Sequence, residues 1–205
     1  MLQPAPWIRA TLGALMLALM AGPAAATEEA ADAMIKRLAN EVMEAARAPG
    51  EASDARSLNA LVDRQIMPSV NFSRMTASVV GRHWRQATPE QQARLQEEFK
   101  LMLVRTYAGA LTQLKDRTIT VKPLRAGADD AEATVRTLVK GQGEPVAIDY
   151  RLEKTAAGWK IVDLNVMGVW LVEAYRGQFS AEINARGLDG LIATLSERNR
   201  LVAAR

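Results

Sequence analysis

"PVAIDYRLEKTAAGWKIVDLNVMGVWLVEAYRGQF", residues 145–179, changes its hydrophobic period part-way along, and the place where it changes decides the fold. Through residue 166 the period is two: Val146, Ile148, Tyr150 and Leu152 fall on one face of a strand, and Ala147, Asp149, Arg151 and Glu153 on the other. The segment "TAAG" (155–158) turns the chain back into "WKIVDLNV" (159–166). Beyond Gly168 the apolar residues recur at four-residue steps, Leu171, Tyr175, Phe179 and Ile183, which is a helical face. A sheet therefore runs into a helix that starts near Val169. Working backward, "TITVKPL" (118–124) and "AEATVRTLVK" (131–140) alternate in the same way, separated by "RAGADD" (125–130) and "GQGE" (141–144). The spacing predicts four antiparallel strands joined by hairpin turns.

Upstream of the strands the period is helical. Met34, Ile35, Leu38, Val42 and Met43 define one face of a first helix, and Leu58, Leu61, Val62 and Ile66 mark a second over residues 57–67 that Pro68 interrupts. A short helix and a turn follow. Thr88 then reads as an N-cap with Pro89 in the first turn and Gln91 completing a capping box, and the long helix they open carries Leu95, Phe99, Met102, Leu103, Tyr107 and Leu111 along one side. After the strands, "ARGLDG" (185–190) breaks the last helical stretch, leaving Leu191, Ile192 and Leu195 on a final helix. The fold class is α+β: helices, a four-stranded antiparallel meander, then helices closing over it.

The N-terminus has a single basic residue, Arg9, an apolar run over residues 10–20, and the small residues Ala24 and Ala26. That is the pattern of a secretory signal peptide over residues 1–26, cleaved near Ala26; the run is about half the roughly 20 residues that span a bilayer. The remaining 179 of 205 residues, 27–205, make one domain in an exported product. The chain has no cysteine, so its stability rests on its core, and thiolate chemistry and cysteine-ligated metals are excluded. Removing Arg9 from the 26 basic residues leaves 25 against 23 acidic ones, with no basic stripe, so nucleic acid is not an expected partner.

The catalytic inventory is thin. His83, the only histidine, stands between Arg82 and Trp84 near a helix end, where a solvated turn residue is the ordinary reading. No nucleophile elbow, phosphate loop or paired-histidine zinc motif is present, the carboxylates do not cluster, and Asp129 and Asp130 fall in a hairpin turn where Asp is common. Asp149, Tyr150 and Asp163 could serve a cavity enzyme, but Asp149 and Tyr150 are neighbours in one strand and must face opposite ways. Asp163 is expected to be satisfied by turn or helix-end amides. The chain is not expected to be an enzyme or to need a cofactor or metal.

Three stretches together carry a resemblance: "VVGRHWRQATPEQQARLQEEFKLMLVRTYAGAL" (79–111), "PVAIDYRL" (145–152) and "GWKIVDLNVMGVWLVEAYRGQFSAEINARGLDGLIATL" (158–195). In order and spacing they resemble the MlaC family, also called toluene-tolerance auxiliary proteins, over about residues 34–195. The resemblance implies a curved sheet (NTF2/cystatin-like) packed under helices with an apolar cavity between. It implies a periplasmic carrier that takes phospholipid acyl chains and shuttles lipid between an inner-membrane ABC transporter with a ring of MCE domains and an outer-membrane lipoprotein complex, in support of outer-membrane lipid asymmetry. A hopanoid-associated branch of the family and a cavity enzyme of the same fold are the alternatives. Two positions depart from the family pattern: Asn71 replaces an acidic residue, and Trp170 replaces a small Ser and could narrow the cavity. On this reading the cavity wall comprises Leu103, Tyr107 and Leu111 of the long helix, Tyr150 and Leu152 of the third strand, Val162, Leu164 and Val166 of the fourth, and Val169, Leu171, Tyr175 and Phe179 of the helix after it. Arg82 and Arg176 are candidate contacts to a headgroup phosphate.

Overall fold

The structure is a computed structural model and describes residues 29–48, 55–112, 116–124, 130–141 and 143–203. The expected signal peptide and Asp129 lie outside the described residues, as does the side chain of Leu111. The strands β1 (Thr118–Val121), β2 (Glu132–Lys140), β3 (Val146–Thr155) and β4 (Gly158–Val166) pair antiparallel in chain order. A fifth strand, β5 (Val169–Trp170), joins the edge where the period had placed the helix start. Met167 and Gly168 take φ of +54° and +90°, a two-residue hairpin turn, and this pairs Val166 with Val169 and Asn165 with Trp170. A strand of two residues has no period to read.

The register fixes which side chains share a face. Tyr150 stands between Val135 and Leu164, Ile148 between Thr137 and Val166, and Leu152 between Ala133 and Ile161. Val121 and Ile119 of β1 extend the same face through Thr137 and Val139. The pairing shifts between Arg151 and Leu152, so Val162 has no partner and Ile161 takes the next position on this face. That bulge increases the local bend of the sheet.

Helix α1 (Ala31–Arg47) lays Met34, Ile35, Leu38 and Val42 on this face, and with Ala133, Val135, Leu152 and Ile161 they form one buried core. Helix α2 (Ala55–Leu61) is shorter than its period suggested: a π-helical turn, Val62–Ile66, and a 3₁₀ turn, Met67–Ser69, replace its second half. Pro68, with no N–H and a ring that blocks the preceding turn, prevents regular α continuation. The chain then crosses to the sheet, where Asn71 N donates to Ile161 O at 2.9 Å. Helix α3 (Phe72–Val80) starts there, with Asn71 Oδ1 accepting from Arg74 N at 3.1 Å.

A 3₁₀ turn, Gly81–Gln86, leads to α4 (Pro89–Thr112), opened by the expected capping box: Gln91 N donates to Thr88 Oγ1 at 3.2 Å, and Thr88 N to Gln91 Oε1 at 3.1 Å. Helix α5 (Leu171–Ala203) kinks at Gly187, φ +70°, inside the expected breaker, but resumes without a loop, so the two helices read from the sequence are one kinked element. Helices α3, α4 and α5 enclose a second core around Met75, Val79, Leu95, Phe99, Phe179, Ile183 and Leu195. Val70 packs against both cores.

Candidate functional site

The helix-facing surface of the sheet is apolar along its length but not equally covered. Ala133, Val135, Leu152 and Ile161 are buried against α1, whereas Ile119, Val146, Ile148, Tyr150, Leu164 and Val166, toward the other end of the same face, are half-buried. The helical core has a matching margin, since Leu103 and Tyr175 pack on it yet remain half-buried. Tyr107, also half-buried, interacts with Tyr175 through its hydroxyl. Burial raises the Tyr107 phenol above its ordinary value, as it does for Tyr150. Tyr150 is half-buried and packs, with Leu164, at the edge of the core that α1 covers.

The twelve expected wall residues divide accordingly. Tyr150, Leu152, Leu164 and Val166 share the inner sheet face by register, with Leu152 fully buried. Val162 stands at the bulge. Leu103, Tyr107 and Tyr175 lie on the margin of the helical layer, and Phe179, only 3% exposed, is inside its core with its ring 5.3 Å from that of Phe99. Leu171 is buried at the start of α5, Val169 is 55% exposed, and the side chain of Leu111 is among those not described. Sequence reasoning had put Val146 and Ile148 on the right face of the strand without naming them as wall. The register adds Ile119 and Val121 of β1 to this face, which the sequence does not place because alternation within one strand does not fix its register against the next.

The polar groups nearby have structural partners. Asp163, buried on the opposite face, accepts from Leu164 N at 2.9 Å and Val172 N at 3.0 Å through Oδ1, and pairs with Arg151 at 3.3 Å through Oδ2. It therefore caps α5 from the neighbouring strand, satisfying a helix-end amide. Burial raises its carboxyl above the ordinary value, against the pull of the two amides and of Arg151 and Arg176. Trp170 is paired with Asn165 and so lies on that outer face, with the Arg151 guanidinium 4.2 Å over its ring; the indole does not project into the space between sheet and helices. Arg176 donates to Ser78 O at 3.0 Å, and Arg82 to His83 Nε2 at 3.4 Å. Asn71 Nδ2 donates to Glu153 Oε1 at 2.6 Å, which explains the missing acid: a carboxylate at residue 71 would face the carboxylate of Glu153.

A recess of about 720 Å³ lies elsewhere, between Lys122, Pro123, Leu124 and Asp130 on one side and Glu132, Ala133, Thr134 and Arg136 of β2 on the other. Four charged side chains line it, so it is unsuited to hydrocarbon, and the half-buried apolar margins remain the candidate site. Among the described residues no cluster of His, Asp and Glu could hold a metal ion, and no helix is long and apolar enough to cross a membrane.

A family profile described as MlaC protein matches residues 36–197. The chain belongs to the MlaC family. Its MlaC relatives include the toluene tolerance protein ttg2D of Pseudomonas putida, 32% identical over 62% of this chain; the match spans 60% of that protein's length. The MlaC binding protein of the intermembrane phospholipid transport system of Haemophilus influenzae is 22% identical over 70% of this chain and 69% of its own. Among solved structures, a phospholipid-binding protein from Ralstonia solanacearum, in complex with a phospholipid, is 43% identical with a TM-score of 0.81, covering 84% of this chain and 98% of that one. The MlaC architecture of α helices packed on a curved antiparallel sheet is thus shared.

Proposed function

We propose that this MlaC-family protein is a periplasmic phospholipid carrier: it holds acyl chains between the half-buried inner face of the sheet and the margin of the helical layer, and releases them at the opposite membrane. The observation that carries this reading is the 43% identity to a chain solved with a phospholipid bound. The physical need for such a hollow is plain. Each methylene moved from an apolar setting into water costs about 0.8 kcal/mol, so two chains of about 30 methylenes in all would cost roughly 24 kcal/mol to carry bare across an aqueous gap. A shell of apolar side chains removes most of that barrier without a nucleophile, metal or cofactor.

The wall on this reading is Ile148, Tyr150, Leu164 and Val166 from the sheet, with Leu103, Tyr107 and Tyr175 opposite. Export through a signal peptide over residues 1–26 brings the protein to the periplasm. The inner-membrane ABC transporter with its MCE ring and the outer-membrane lipoprotein complex are its partners. Asp163, next to Leu164 of the wall, is engaged as a helix cap on the other face, which favours binding over catalysis.

Organic extraction of the purified protein followed by mass spectrometry tests the proposal. Stoichiometric phospholipid is expected. A lipid-free protein that also takes up none from labelled vesicles would refute it, and a bound hopanoid would move it to the related branch of the family.

A further inference from the structure

Met167 breaks two local rules at once. It is 73% exposed although apolar, and it is the only described non-glycine residue with positive φ, +54°. In a two-residue hairpin turn of this kind the first position is favourable for Asn, Asp or Gly and costly for a side chain such as Met. A residue that carries both costs in an otherwise regular hairpin points to a function for the tip.

The tip is held rigidly. Gly168 N donates to Asn165 Oδ1 at 2.8 Å, and Met167 N donates to Ala147 O at 3.1 Å. Val169, directly after it, is 55% exposed. The turn also sits at a particular end of the sheet: Val166 and its partner Ile148, both half-buried on the inner face, are adjacent to it. Exposed apolar tip and half-buried inner face thus form one apolar track.

We propose that the Met167–Gly168 turn is the element this protein inserts into a phospholipid layer, so that acyl chains pass from the layer along Val166 and Ile148 into the hollow. The inference deepens the carrier reading and rests on it. Two exposed apolar side chains are far too few for a stable protein interface, which takes about 20–30 residues on each side, whereas insertion among acyl chains needs no complementary surface. Charges near the strand ends on this side are of both signs, Asp116 and Glu144 beside Arg47, Arg117 and Lys140, with no one-signed cluster. The drive for insertion is therefore apolar contact, and salt should affect it little.

The test follows uptake of a fluorescent phospholipid from vesicles of phosphatidylethanolamine and phosphatidylglycerol. Met167→Asn removes the apolar tip while supplying a residue that accepts positive φ, so it should melt at or above the wild-type temperature. Its uptake should be about tenfold slower, the scale set by withdrawing one large apolar side chain from the layer, with an unchanged final amount of lipid bound. Met167→Leu should keep the wild-type rate. If the wild type takes up no lipid, the carrier reading itself fails. If the wild type takes up lipid and a folded Met167→Asn/Val169→Thr variant does so equally fast, the carrier stands and this inference is overturned. A rate unchanged on bare vesicles but reduced on membranes bearing their own proteins would overturn it too, making the tip a protein contact. Should the Asn variants fail to fold, Met167→Gly provides the same comparison.

Discussion

Replacing Asp163 with Ala should loosen the joint between β4 and α5, and the size of the effect can be worked from the contacts. The carboxylate is 3% exposed, accepts from the amides of Leu164 and Val172, and pairs with Arg151. Loss of a helix cap costs about 0.5–2 kcal/mol, and a buried amide left without an acceptor about 1–3 kcal/mol; these overlap, because the Val172 amide is counted in both. Arg151 contributes little, since its side chain is 45% exposed and stays solvated on Trp170. The expected loss is about 2–3 kcal/mol, or roughly 4–12 °C in Tm for a domain of this size. Asp163→Asn keeps an acceptor for both amides and should cost only about 1 kcal/mol.

The pH dependence has a definite sign. Because burial places the folded-state pKa of Asp163 above its unfolded value, ionisation of this group opposes folding. Its contribution to stability grows as pH falls through the folded pKa, levels off below the ordinary carboxylate value of about 3.9, and is lost again as pH rises. Asp163→Asn should abolish that component. Urea unfolding followed by tryptophan fluorescence at several pH values measures both effects. An Asp163→Ala variant within about 0.5 kcal/mol of wild type, or an Asn variant as damaged as the Ala one, would refute the capping argument.

Asn71→Asp should destabilise by about 2 kcal/mol, by replacing a hydrogen bond to Glu153 with carboxylate repulsion, and Glu153→Gln in the same chain should restore most of it; additive losses in the double-mutant cycle would show that the two side chains do not couple. Leu164→Asp or Val166→Asp should abolish lipid retention, whereas Ala147→Asp, on the exposed outer face, should leave it intact; retention in a folded Val166→Asp protein would put the wall elsewhere. Titration of tyrosine absorbance should find the Tyr150 phenol ionising above the ordinary value, with the high component, which Tyr107 shares, reduced in Tyr150→Phe; a profile that Tyr150→Phe leaves unchanged in its high part would contradict its enclosure.

Sheet and helices were legible wherever an element was long enough to repeat its period. The face shared by Val146, Ile148, Tyr150 and Leu152 follows from alternation alone, and the capping box at Thr88 and Gln91 from local chemistry. The bulge at Val162 was not legible, because a one-residue slip depends on what the partner strand offers, and the isolated segment still alternates. Strand β5 was hidden because Val169 fits a helical spacing with Val172, while the pairing that claims it depends on Met167 adopting a conformation its side chain disfavours. The π-helical turn after Leu61 likewise depends on fitting the chain around Pro68. For the site, periodicity told which residues turn inward, but Phe179 and Tyr175 share one helical stripe and differ in exposure only through what packs above them. Asp163 was read as a helix-end or turn acceptor, and its link to Val172 is that contact made across the β4–α5 junction.

The sheet core and the core of the α3–α5 layer are separate clusters that both touch Val70, and this has a mechanical consequence. Each keeps its own close packing, so the spacing between the layers can change while neither loses its internal contacts. Expansion around a bulky guest would fall on the half-buried side chains at the margins, at a fraction of the free energy that melting either layer would require.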